Sequence, residues 1–256
     1  IQTLEAATTV TGTVRLPGDK SISHRYAMLA AIAEGTSVIG RFAASRDCHS
    51  TLGCLRALGV EVGTEGDTVT IRGRGLRGLS APAAALDAGN SGTTMRLLAG
   101  ILAGQPFESV LTGDDSLVNR PMGRVLEPLR RMGAAVEARE RGLPPLRIRG
   151  GALGAIRYPL PVASAQVKSC VLLAGLYGSG TTAVEEPVPT RDHTEIALGE
   201  FGAAVRVDGN RIEVDPEPRL GGRRLVVPGD LSGAAFFLVA AALVPGSDLR
   251  LPGVGL

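Results

Sequence analysis

The stretch PGDKSISHR, residues 17–25, sets a tight turn, an acid, a lysine and two serines directly ahead of the apolar run YAMLAAIA. A turn that opens a helix in this way suits an anion, because the first backbone N–H groups of a helix are unpaired and its dipole is positive there. Three other turns precede apolar helical runs: AGNSGTTMRLLAGILA from Ala88, VASAQVKSCVLLAGL from Val162 and PGDLSGAAFFLVAAALV from Pro228. The first start offers Lys20, Ser21, Ser23 and Arg25; the second Asn90, Ser91, Thr93 and Arg96, with Gly92 leaving room for close approach. The third offers Ser164, Gln166 and Lys168, and the helices that follow add Arg120 and Arg191 at their starts. Guanidinium forks, ammonium groups, hydroxyls and amides in this combination suit a multiply anionic small molecule.

Other chemistries fit less well. A Walker loop needs Gly immediately before the Lys and another upstream, but Asp19 and Val14 occupy those positions. No GxGxxG opens any of these helices, so the dinucleotide fingerprint is absent. His24, His49 and His193 form no HExxH, which argues against zinc. Structural roles compete at single positions: Ser21, Ser23, Ser91 and Ser164 can be plain helix caps. Lys168 and Glu195 read as structural ion partners rather than catalysts, and His24 as a polar residue at a helix start rather than a base. Agreement across three repeats favours a shared anion site.

The elements that position these residues repeat. Each apolar run is followed by a Gly and a short strand-like stretch, and in the first three copies by a second helix: RDCHSTLGCLRALGVEV from Arg46, NRPMGRVLEPLRRMGAAVEA from Asn119 and RDHTEIALGEFGAAVRV from Arg191. Gly59, Gly133 and Gly202 end those helices at C-cap positions, 74 and 69 residues apart. Start signals for the second helices are Asp47 and Ser50 in the first, Pro121 in the second, and an acid-first capping box of Asp192 and Glu195 in the third. The pattern is βαβαββ three times, then one βαβ. Helices apolar almost all round belong inside a domain, and strand pairs after each second helix read as hairpins. The expected fold is mixed α and β: an α/β prism, or inside-out barrel, of three repeats with buried helices, plus the start of a second such domain.

The chain has 256 residues, 44% of them hydrophobic, and a net charge of +2 with 3% aromatics. Weak net charge and few stacking residues argue against nucleic acid. No long uninterrupted apolar stretch predicts a membrane span, and the first residues do not read as a signal peptide. Without an initiator Met, the N-terminus reads as processed or engineered. Cys48, Cys54 and Cys170 are odd in number and lack CxxC spacing, so they read as buried, reduced thiols in a cytoplasmic protein.

LPGDKSISHR, LDAGNSGTTMRLLAGILAG, GDDSLVNRPMGRVLEPLRRMGA, ASAQVKSCVLLAGL, RDHTE and VPGDLSGAAFFLVAAALVPGSDL together resemble the N-terminal part of the enolpyruvylshikimate-phosphate synthase family. The resemblance implies enolpyruvyl transfer from phosphoenolpyruvate to the 5-hydroxyl of shikimate 3-phosphate, without metal or cofactor. It implies that Ser21, Arg25, Ser164, Ala165 (through its backbone), Gln166 and Arg191 hold shikimate 3-phosphate. Lys20, Gly92, Arg120 and Gln166 would face phosphoenolpyruvate, with Lys20 neutralising charge near the transferring centre. SAQVK and RDHTE are similar to a second class with members less sensitive to glyphosate, while Gly92 leaves the space that inhibitor needs.

The resemblance also implies two domains with the site between them. Residues 18–228 would form one complete domain; 1–17 and 229–256 would be pieces of a second, mostly absent one. The catalytic acid and base would lie beyond Leu256, leaving a fragment that binds shikimate 3-phosphate without useful turnover. GAAFFLVAAALV, without its neighbours, is expected to pack irregularly, self-associate or be disordered. Alternatives are a relative of the UDP-N-acetylglucosamine enolpyruvyl transferase, which typically carries a reactive Cys on a mobile loop, a non-catalytic phosphate-binding module, or an RNA-end-processing relative.

Overall fold

The structure, a computed structural model, describes residues 8–255. Residues 1–7, which begin the segment read above as no signal peptide, and Leu256 lie outside the described residues. In chain order the elements begin with β1 (Thr11–Thr13), α1 (Lys20–Ile32), β2 (Glu34–Gly40), α2 (Arg46–Ala57), β3 (Glu61–Glu65) and β4 (Thr68–Arg74). The second repeat holds β5 (Leu86–Asp87), α3 (Gly92–Ala103), β6 (Glu108–Thr112), α4 (Gly123–Arg131), β7 (Ala135–Arg139) and β8 (Leu143–Arg149). The third holds β9 (Arg157–Pro159), α5 (Ala165–Gly175), β10 (Thr182–Glu185), α6 (His193–Phe201), β11 (Val205–Asp208) and β12 (Arg211–Val214). β13 (Arg224–Val226), α7 (Leu231–Leu243) and β14 (Asp248–Arg250) follow.

The repeats form three four-stranded sheets, ordered β13-β2-β4-β3, β5-β6-β8-β7 and β11-β12-β10-β9. In the second and third, a parallel pair flanks an antiparallel hairpin: β5 and β9 run parallel to β6 and β10. The first repeat has no strand of its own at that position. β13, almost two hundred residues later in the chain, fills it and pairs in parallel with β2. Strands β4 and β8 alternate buried and solvent-facing residues, as expected of sheets with one wet face.

The helices fill the space between the sheets. Every residue of α1 from Ser23 to Ile32 is buried, as is α5 from Val167 to Gly175. α3 crosses α5 so closely that a Cβ on Gly100 would lie 2.4 Å from the Cys170 carbonyl oxygen, which explains a glycine mid-helix. Gly59, Gly133 and Gly202 all have positive φ, between 83° and 102°, in keeping with their expected place after a helix. The three cysteines are free and buried, and burial pushes their thiols up to about 11 for Cys48 and about 12 for Cys54 and Cys170.

The two PGD turns bond to each other. The Asp19 N–H donates to the Pro228 carbonyl (2.8 Å), and the Asp230 N–H donates to the Pro17 carbonyl (3.0 Å). Beyond this crossing, β1 pairs in parallel with β14 in a separate two-stranded sheet. α7 is a regular thirteen-residue helix capped by Asp230, which corrects the expectation of disorder, although it lacks the burial of a packed helix. Only Ala234 of α7 is buried, and Phe236 and Leu243 are 81% and 76% exposed.

Candidate functional site

Three of the four predicted helix starts meet. α1, α3 and α5 are capped by Asp19, Ser91 and Ser164, whose side chains accept from the N–H groups of Ile22, Thr94 and Val167. Ser23 is therefore no cap. Its hydroxyl donates to the Asp19 carbonyl (2.8 Å) and accepts from the Ala43 N–H (3.0 Å). Between these starts and the start of α6 lies a cavity of about 230 Å³ lined by Ser21, Arg25, Thr93, Ser164, Ala165, Gln166, Arg191 and His193. All six residues expected for shikimate 3-phosphate face this one space. Thr93, named above only as a donor at the second start, and His193, considered only for zinc, complete its wall.

Of the two cations in this wall, Arg25 is the more tightly held. Its Nε donates to Thr194 Oγ1 (2.6 Å), Nη1 to the Ser21 carbonyl (2.9 Å) and Nη2 to Ser169 Oγ (2.8 Å). Burial pulls this guanidinium down to about 10; Glu195 opposes the shift and Arg191 adds to it. His193 is half-buried, its Nδ1 has no hydrogen-bond partner, and burial lowers its pKa.

The residues expected for phosphoenolpyruvate are less gathered. Gln166 joins two spaces: its amide donates to Thr93 Oγ1 (3.1 Å) and its carbonyl accepts from Arg96 Nη1 (2.7 Å). Beyond it lies a cavity of about 420 Å³ whose wall includes Arg96, Arg124 and Arg141. Gly92 sits against Arg96, since a Cβ there would lie 2.8 Å from Nη1. Lys20 and Arg120 line neither space. Lys20 Nζ is paired to Asp47 (2.9 Å), and Arg120 donates to Asn90 Oδ1 (2.6 Å) and Ser116 Oγ (3.0 Å). Asp47, Arg124 and Arg141 were not anticipated as site neighbours. Arg124 stands four residues after Arg120 in RPMGR, but Arg141 occupies a left-handed turn (φ 61°) with no sequence signal.

The second-helix start signals need correction. Ser45 caps α2 and Asp47 turns to Lys20 instead; Ser50 donates back to the Arg46 carbonyl. Pro121 stands two residues ahead of α4, after a single 3-10 turn at Leu117–Asn119. Asp192 makes no side-chain cap, and Glu195 is drawn to Lys168 rather than back to the helix start. That ion partnership is as expected for Lys168 and Glu195.

His24 is fully buried rather than a polar residue at a helix start. Its Nδ1 meets Thr51 Oγ1, which meets Thr94 Oγ1, which donates to Ser91 Oγ, each at 2.7 Å. This relay ties α1 to the start of α3. Burial lowers the His24 pKa from 6.5 to about 3. Between those values the unfolded chain binds a proton that the folded chain refuses, so stability present above pH 6.5 is lost as pH falls toward 3. Half-buried His193 adds in the same direction. From pH 6.5 to 4.5, His24→Gln should spare the protein roughly 2–3 kcal/mol of that loss, read from urea unfolding at the two pH values.

Among the described residues no helix is long and apolar enough to cross a membrane. Nor does any group of three or more His, Cys, Asp or Glu among them stand ready to hold a metal ion. Helix starts converge on a cavity with two guanidinium groups and no carboxylate in its wall, an arrangement whose chemistry suits a small, multiply anionic ligand.

The family model described as EPSP synthase (3-phosphoshikimate 1-carboxyvinyltransferase) matches residues 4–256. The 3-phosphoshikimate 1-carboxyvinyltransferase of Solibacter usitatus is 58% identical over 253 residues, 99% of this chain and 59% of that protein. That of Pelotomaculum thermopropionicum is 60% identical over 247 residues, 96% of this chain and 57% of the relative. The solved EPSP synthase of Acinetobacter baumannii superposes with a TM-score of 0.93 at 50% identity, covering 99% of this chain and 57% of that one. The chain therefore belongs to the EPSP synthase family and has its mixed α/β fold, while spanning less than three-fifths of the length of these relatives.

Proposed function

We propose that this chain is the shikimate 3-phosphate half of an enolpyruvyl transferase. The full reaction joins the 5-hydroxyl of shikimate 3-phosphate to phosphoenolpyruvate through a tetrahedral intermediate and expels phosphate. One observation carries the reading: Ser21, Arg25, Ser164, Ala165, Gln166 and Arg191 share a single cavity whose two cations suit one carboxylate and one phosphate. Phosphoenolpyruvate would lie toward Lys20, Gly92, Arg120 and Gln166, and Gln166 already stands between the two spaces. Lys20 would offset charge developing at the transferring centre, which helps only if it acts more strongly on the transition state than on bound substrate.

The cavity wall holds no carboxylate to move the proton that this transfer requires. On this reading the chain by itself would bind shikimate 3-phosphate without useful turnover. Residues 18–228 would close as one domain: β13 completes the first sheet, and the paired PGD turns cross between that domain and the ends of the chain. The partner for the open apolar face of α7 would be the remaining length of the family's chain. The buried thiols of Cys48, Cys54 and Cys170 speak against the UDP-N-acetylglucosamine transferase, with its exposed reactive Cys.

Calorimetry tests the reading: shikimate 3-phosphate should bind and UDP-N-acetylglucosamine should not. Phosphate release from both substrates at a full-length enzyme's rate would refute the claim of inactivity. Recovery of turnover on adding a separately expressed C-terminal half would distinguish half an enzyme from a stand-alone binding module.

A further inference from the structure

Lys20 and Lys168 are the only lysines in the chain. Lys20 lies in a half-exposed ion pair, whereas Lys168 is 1% exposed. Its Nζ contacts Glu195 Oε1 (2.6 Å), Glu186 Oε2 (2.9 Å) and the Thr190 carbonyl (3.5 Å). Glu186 in turn accepts from the Thr190 N–H (3.3 Å) and from the Thr190 hydroxyl, and its own N–H donates to the Asn210 carbonyl (2.9 Å). One ammonium thus joins α5, the turn after β10 and the first turn of α6. Two buried carboxylates against one ammonium leave Glu195 Oε2 without a partner. Such a cluster is a poor way to gain stability, since apolar residues of similar volume commonly do as well or better. Its use is more readily geometric.

The geometry has a clear object. Thr190 is followed by Arg191, and Glu195 is preceded by Thr194, which holds Arg25. On α5, Lys168 is followed by Ser169, which also holds Arg25. Arg25 and Arg191 face the same small cavity and repel one another there. Arg25 is anchored on three sides, while Arg191 is exposed and stands on a turn. A turn carrying the freer of two like charges is driven toward solvent unless something holds it.

We propose that Lys168 is a positioning residue: clamped by Glu186 and Glu195, it pins the Glu186–Asp192 turn to α5 and so sets where Arg191 stands across the cavity from Arg25. It touches no ligand and acts through Arg191. Its effect on ligand rests on the shikimate 3-phosphate reading, whereas its effect on the turn does not.

Lys168→Met alone strands two buried carboxylates and perturbs folding, so the test uses K168M/E186Q/E195Q, which removes the whole charge cluster. Amide hydrogen exchange of the ligand-free chain should quicken at least tenfold at Thr190, whose N–H is held by Glu186, with α3 unchanged. Unchanged exchange in the turn overturns the proposal. By calorimetry the triple variant should bind shikimate 3-phosphate about tenfold more weakly, yet cost nothing further in an Arg191→Ala background. The same tenfold loss in both backgrounds overturns the proposal, because the cluster then acts without Arg191. If the wild-type chain does not bind shikimate 3-phosphate, the functional reading falls and exchange alone decides the role of Lys168.

Discussion

Arg25→Ala is expected to weaken shikimate 3-phosphate binding by about 2–4 kcal/mol, roughly 30- to 1,000-fold. The size of the effect follows from how the guanidinium is held. Three of its donors are committed to Thr194, the Ser21 carbonyl and Ser169, so its orientation is fixed before any ligand arrives. A preorganised charge costs little ordering on binding, and burial strengthens its interaction with an anion. Truncation leaves the fold a ready repair, since Ser169 Oγ and Thr194 Oγ1 already bond to each other at 2.6 Å. The urea midpoint should therefore move much less than the affinity. Arg25→Lys should not rescue binding, because a point charge cannot serve two hydroxyls, a carbonyl and an anion at once. A calorimetric loss below tenfold for Arg25→Ala would place the anion elsewhere.

The convergence of helix starts was legible because it rests on local signals. Small residues and hydroxyls ahead of apolar runs mark α1, α3 and α5, and Gly59, Gly133 and Gly202 mark helix ends by needing positive φ. Where local signals competed, long-range partners decided. Asp47 looks like a cap for α2, but Lys20 claims it and Ser45 takes over. Asp192 and Glu195 look like a capping box, but Lys168 claims Glu195. The first sheet is the fullest case. No stretch before α1 supplies its parallel edge, and β13 fills the gap from the far end of the chain. Such a pairing depends on the closing of the whole ring of repeats, which no window of sequence contains. Arg141 escaped notice for a similar reason: only the left-handed turn after β7 carries it to the wall shared with Arg96 and Arg124.

Lys168→Met is expected to destabilise the chain by about 3–5 kcal/mol at pH 7, the usual cost of removing one partner from a buried ion cluster. Methionine fills nearly the same volume, so the loss is electrostatic rather than a cavity effect. The pH dependence distinguishes the two. In the wild-type protein burial already holds the Glu195 carboxyl above its ordinary value, while Lys168 pulls it down. Without the ammonium that opposition disappears. A carboxyl whose folded pKa lies above its unfolded value favours folding when protonated, and that stability is lost as pH rises through the folded pKa. The gap between wild type and Lys168→Met should therefore be smaller at pH 5 than at pH 7. His24 does not disturb the comparison, since it titrates alike in both proteins and cancels in the difference. In K168M/E186Q/E195Q most of the loss should be recovered, because no uncompensated charge stays buried. Urea unfolding of the three proteins at the two pH values measures all of this. A gap that does not change with pH would mean that the loss does not come from stranded carboxylates, and would overturn the electrostatic account of Lys168.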